Sequence, residues 1–199
     1  MYKIILASKS PRRRDILENV GIPFEVIPSY VDENIELEAS CYERALFLSK
    51  KKANAVVDQV EGPAIILGVD TIISDLGMIL NKPKSREEAV RMLRHLQGRS
   101  HSVFTGVTML FVNEDGTKKE TSFVDSTEVT FNPMTIEEIE MYQGTGEYTD
   151  KAGGYGIQGK ASIFVSSITG NYDTVVGLPI HLIYEELKKH GIQLMDYWK

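Results

Sequence analysis

Asp70 closes the apolar run Ala64 to Val69 and is followed by the β-branched pair Thr71 and Ile72. That pattern puts its carboxylate where a sheet opens, where it can hold Mg2+ or Mn2+ and orient or deprotonate a water. The same position also suits a cap that accepts backbone N–H groups. Near the N-terminus, Ser8-Lys9-Ser10-Pro11-Arg12-Arg13-Arg14 sets three arginines in the first turn of an expected helix. Cations at that end of the helix dipole are unfavourable by a few tenths of a kcal/mol each. A bound anion would compensate, accepting backbone N–H groups and the hydroxyls of Ser8 and Ser10 while arginine forks grip phosphate oxygens. So short a string equally describes a solvated surface turn.

Glu33, beside Asp32, offers a second carboxylate for the same metal, or is a solvated loop acid. Lys52, on an expected helix, and Lys82, before Pro83, can each neutralise phosphate charge, although most lysines are simply solvated. His101 has no metal-ligand partner at recognisable spacing, so structural hydrogen bonding is expected of it. The stretch Thr149 to Gly159 carries glycines at 153, 154, 156 and 159 among the polar handles Asp150, Lys151 and Gln158. Its backbone can approach a ligand closely, or it is a flexible surface loop. The Gln158 amide offers a donor and an acceptor together and can pair with the carbonyl and N–H edge of a uracil or thymine ring.

These groups need elements to hold them. Lys3 to Ala7 reads as a strand feeding a helix, with Ser10 at the N-cap, Pro11 at the first helical position and Gly21 at the stop. Phe24 to Pro28 reads as strand, Cys41 to Val57 as helix, and Ala64 to Val69 as a strand buried on both faces. An extended segment and a turn at 75–77 follow, then a helix from a Ser85/Glu88 capping box to Gly98. Ser102–Val112 and Glu120–Phe131 form a hairpin about 113–116, Thr135 with Glu138 opens a short helix, Ala161–Ser166 is a strand, and Pro179–Lys189 is the last helix. The fold class is therefore α/β: a mixed domain around one long twisted central sheet flanked by helices, a single domain over residues 1–199. Ligands on such sheets bind at strand C-terminal ends, where both Ser8 and Asp70 are expected.

Composition narrows the partners. Charged residues make up 25% of the chain and the formal net charge is -6, with only short basic clusters, so a broad nucleic-acid surface is not expected and a local basic pocket is. A single cysteine, Cys41, points to a reducing, cytoplasmic home, and no apolar stretch approaches the ~20 residues that span a bilayer.

Taken in order, Ser8 to Arg13, Gly68-Val69-Asp70-Thr71, Lys82-Pro83, His101 to Gly106, Thr127 to Phe131, Asp150 to Gly159, and Gly170-Asn171-Tyr172 through Val175 to Pro179 resemble the motifs of the Maf proteins. Val69 and Asn81 stand where alanine and glycine are commoner in that group. The resemblance spans nearly the whole chain and implies the inosine triphosphatase-like (anticodon-like) fold. It implies a nucleoside triphosphate as substrate, cut to monophosphate and pyrophosphate with a divalent cation (Mg2+ or Mn2+), and a homodimer. Asp70 is implied as proton acceptor, with Glu33 assisting at metal or water. Arg12, Arg13, Lys52 and Lys82 are implied as holding the triphosphate. Arg12, Thr71 and Gln158 match the branch acting on dTTP and UTP rather than the one similar to 7-methyl-GTP pyrophosphatases. Association of the group with septum formation and cell division leaves a nucleotide-sensing regulator as the alternative from another class.

Overall fold

The structure is a computed structural model describing residues 1–33 and 39–198. Its strands are β1 (Lys3–Leu6), β2 (Glu25–Val26), β3 (Ala64–Asp75), β4 (Met78–Leu80), β5 (Ser100–Val112), β6 (Lys118–Phe131) and β7 (Val165–Thr169). The helices are α1 (Pro11–Asn19), α2 (Cys41–Asn54), α3 (Arg86–Leu96), α4 (Ile136–Gly144), α5 (Tyr172–Val176) and α6 (Ile180–Lys189). Among the described residues seven strands form one sheet, in the order β2-β1-β3-β5-β6-β7 with β4 paired to β3, so the expected mixed α/β architecture is what the chain adopts. Contacts divide the chain into two compact units, and β3, β5 and β6 each contribute residues to both.

The first unit comprises Met1–Asp70, Thr105–Asp125 and Gly177–Lys199. Here β1 runs parallel to both β2 and β3, in the register Leu6 to Val26 and Leu6 to Leu67. Every β3 residue except Thr71 is buried, as a β-branched run covered on both faces requires. On one face Ile5, Ala64, Ile66 and Leu110 pack with Ala53 of α2 and Val56 just beyond it. On the other, Ile4, Ile65, Leu67 and Met109 line an apolar pocket with Leu17 of α1 and Ile183 and Leu187 of α6. Glycine lets α2 lie unusually close. A Cβ on Gly68 would fall against the Ser49 carbonyl and 2.5 Å from the Ala53 nitrogen, and one on Gly106 would fall against the Ala45 carbonyl.

The second unit comprises Thr71–Phe104 and Ser126–Val176. α3 packs on α4 and on the 3-10 turn Ala152–Gly154. His101 stands edge-on to Phe131 and Tyr155, and its Nε2 lies 2.7 Å from the Tyr155 hydroxyl. The structural hydrogen bond expected of this histidine is therefore present. Burial pulls the imidazole down to about 4, with Asp75 opposing the shift.

Several local expectations are corrected. Ser10 occupies the expected N-cap position of α1 but makes no side-chain cap; its N–H donates to Ser8 Oγ at 3.2 Å. Asp70 is not at a strand end: β3 outlasts it because Ile73–Asp75 pair antiparallel with β4. α2 stops at Asn54 and a separate 3-10 turn covers Val57–Gln59. Ser85 caps the Glu88 N–H, but the Glu88 carboxylate takes the Lys84 N–H at 2.7 Å, so the box is only half made. The strand expected at Ala161–Ser166 begins at Val165, since the N–H groups of Lys160 and Ser162 are already bound to Glu147 and to the Gly159 carbonyl. α5 is only five residues long, and no periodic run in the sequence announces it.

Two outcomes follow from this packing. Gly68→Ala must push backbone off backbone and should cost about 3 kcal/mol or more in urea denaturation, whereas Gly144→Ala, near α4's exposed end, should stay within about 1 kcal/mol. For His101 the folded value lies below the unfolded one, so the unfolded chain binds more protons between them. The contribution of His101 to stability is complete above about pH 6.5 and should fall by on the order of 3 kcal/mol as pH drops toward 4. Chemical denaturation at stepped pH should show that slope, and His101→Leu should flatten it.

Candidate active site

Side chains alternate along a strand, so Asp70 shares the face of β3 on which Gly68 receives α2. Ala53, the residue in contact with Gly68, is preceded by Lys52, whose Nζ donates to Asp70 Oδ1 at 2.6 Å. The same ammonium lies 2.6 Å from Glu33 Oε1. The Lys52 and Asp70 side chains are 8% and 9% exposed, that of Glu33 43%, so one carboxylate is held dry and the other reaches water. Burial pushes the Asp70 carboxyl above the usual carboxylate range, while the Lys52 ammonium and then the Arg13 guanidinium hold it back. A buried carboxylate made more basic by desolvation, with a cation in contact, is a candidate general base.

Arg13 comes from the first turn of α1 and points inward. Its Nε donates to the Gly177 carbonyl at 2.8 Å and its Nη1 to Ser8 Oγ at 2.8 Å. Burial lowers the guanidinium to about 10, which leaves it charged at neutral pH, and Asp70 and Glu33 favour that charge. Part of the compensation that a basic helix start demands is thus supplied by the protein's own carboxylates. Arg12 and Ser10 are half-buried beside it. Sequence reasoning missed Gly177 as the anchor of Arg13; its only signal was a place in the Val175 to Pro179 motif. Nor did it foresee that Lys52 is paired with Asp70 before any phosphate arrives.

Of the residues implied to hold substrate, the first unit gathers Ser8, Arg13 and Lys52 with Asp70 and Glu33. The second carries Thr71, Lys82 and Gln158. Thr71 follows Asp70 along β3 with its side chain on the opposite face, half-buried. Lys82 is exposed just after β4, and its segment is tied to the glycine-rich loop by the Gly153 N–H, which donates to the Asn81 carbonyl at 3.2 Å. Gln158 is exposed in the turn that the Gly159 N–H closes on the Gly156 carbonyl at 3.1 Å.

No helix among the described residues is long and apolar enough to cross a membrane. A model of the Maf-like proteins matches residues 3–190. The dTTP/UTP pyrophosphatases of Bacillus anthracis and Bacillus cereus are each 46% identical to the chain over 194 residues, 98% of both partners. Among solved structures, the Ham1 protein of Staphylococcus aureus is 16% identical, with a TM-score of 0.43 over 94% of this chain and 99% of that one. Because the family match runs through both compact units, and the relatives align with nearly the whole length of the chain, the chain belongs to the Maf-like protein family.

Proposed function

We propose that this chain hydrolyses the pyrimidine triphosphates dTTP and UTP to the monophosphate and pyrophosphate, in the cytoplasm and as one catalytic domain over residues 1–199. The observation that carries the reading is the buried Asp70, raised by burial and clasped with Glu33 on one lysine ammonium, in a chain so close to enzymes named for that reaction. Asp70 accepts a proton from water as the water oxygen bonds to the α-phosphorus. The bond from that phosphorus to the bridging oxygen breaks, and pyrophosphate leaves with the electron pair. Lys52, Arg12, Arg13 and Lys82 offset the negative charge of the triphosphate and of the leaving group, with Ser8 and Ser10 donating hydroxyls. Arg12, Thr71 and Gln158 select the base, Gln158 by pairing with the carbonyl and N–H edge of the pyrimidine.

The acids also fit a divalent cation. Among the described residues no group of three or more His, Cys, Asp or Glu could hold an ion. Two carboxylate oxygens gathered on one ammonium are nevertheless the hard donors that Mg2+ or Mn2+ takes when substrate phosphates and water complete the shell. Asp70 and Glu33 would hold the ion, which when bound would neutralise phosphate charge.

Pyrophosphate release should be measured across UTP, dTTP, CTP, ATP, GTP, ITP and 7-methyl-GTP with Mg2+ and with Mn2+. UTP and dTTP should lead by about tenfold or more in kcat/KM, a margin of some 1.4 kcal/mol. Tight binding without turnover would favour the regulator, and a lead for ITP or 7-methyl-GTP would favour a purine-directed enzyme. Asp70→Asn should lower kcat by about two decades or more while the fold survives. Because Lys52 holds the Asp70 carboxyl down, Lys52→Met should move the acid limb of the pH–rate profile to higher pH. A limb that stays in place would take Asp70 out of the base role.

A further inference from the structure

The turn that bears Gln158 is held from beneath by a short chain of hydrogen bonds rooted at the end of α4. The Gly156 N–H donates to the Tyr142 hydroxyl at 3.2 Å, and that hydroxyl donates to Glu147 Oε1 at 3.1 Å. The other carboxylate oxygen, Oε2, accepts the Lys160 N–H at 3.0 Å. Gly156 and Lys160 flank Gln158 on either side, so one carboxylate and one phenol bridge both ends of its turn. Tyr142 is 3% exposed, and burial pushes its phenol up, so it stays a neutral donor at any ordinary pH.

The glycines here follow from that bridge. A Cβ on Gly159 would fall against Glu147 Oε1 and 2.6 Å from Oε2, and one on Gly156 would meet Lys151 Cε at 2.6 Å. Lys151 in turn donates to the Glu147 carbonyl at 2.6 Å. The exposed glutamine therefore stands on a turn whose underside is filled with polar side chains aimed at its backbone. An amide that must match a donor and an acceptor on a ring edge at once loses both bonds when its backbone moves by ~1 Å.

We infer that Glu147 is a positioning residue for base recognition: through Tyr142 and the Lys160 N–H it fixes the backbone from which Gln158 meets the pyrimidine edge. This rests on the reading that Gln158 recognises the base. Glu147 touches no reacting atom; it acts through the turn.

Five variants are assayed for UTP, dTTP, CTP and GTP alongside thermal melting: Gln158→Ala, Glu147→Ala, Glu147→Gln, Tyr142→Phe and the double variant carrying both Gln158→Ala and Glu147→Ala. Glu147→Ala should raise KM for UTP and dTTP by at least about tenfold and erode their lead over GTP to match, with kcat changed by less than about threefold. Tyr142→Phe should shift the same quantities in the same direction, and it keeps the test open if the alanine variant does not fold. Glu147→Gln keeps one acceptor and should fall between wild type and alanine. Added to Gln158→Ala, Glu147→Ala should change base preference no further, since the group it positions is already gone. If Gln158→Ala abolishes the preference while Glu147→Ala and Tyr142→Phe retain it, or lower only kcat and the melting temperature, the positioning role is overturned and the base reading stands. If Gln158→Ala leaves the preference intact, the base reading fails and the inference falls with it.

Discussion

The approach of α2 to the sheet is the constraint on which the candidate chemistry depends. Gly68 and Gly106 bring the helix backbone to the strands at a distance no other residue would allow, and that distance lets a lysine on the helix reach an aspartate on β3. A helix held further out would leave Lys52 short of Asp70. The carboxylate would then be buried without its nearest cation, a far costlier state than either the pair or an apolar replacement.

Such a pair is a poor device for stability, because the desolvation of two charges consumes most of their attraction. Its value is electrostatic tuning. Burial raises Asp70 while Lys52 and Arg13 restrain it, so the proton affinity of one oxygen is set by the water excluded from it and by the cations beside it. Arg13 is drawn into the same balance through Ser8 and the Gly177 carbonyl, so segments distant in sequence set the field at one oxygen. Net charge shows none of this: the chain is acidic overall, and its useful cations are local.

The second unit uses glycine to the same end by a different route. There the missing Cβ atoms make room for side chains, Glu147 and Lys151, that reach under a turn instead of for a helix that reaches over a strand. In both units a polar group is oriented by backbone brought within reach. His101, neutral and packed between aromatic rings, belongs to the scaffold.

Much of this was legible in the residues themselves. The β-branched run before Asp70 marked a strand buried on both faces, the Thr135/Glu138 box marked the start of α4, and the spacing of hydroxyls, arginines and glycines marked the groups proposed to handle phosphate and base. Local patterns of period, capping and turn chemistry carry that information because each acts over a few residues. What tertiary structure alone decided were the partnerships: Lys52 with Asp70 and Glu33, Arg13 with Gly177, and Glu147 with the turn around Gln158. It also decided that β3 runs on past Asp70, since the pairing of Ile73–Asp75 with β4 is not visible in the run that precedes it. These depend on which backbones can come together and how much water is excluded between them, and no spacing within one segment encodes either.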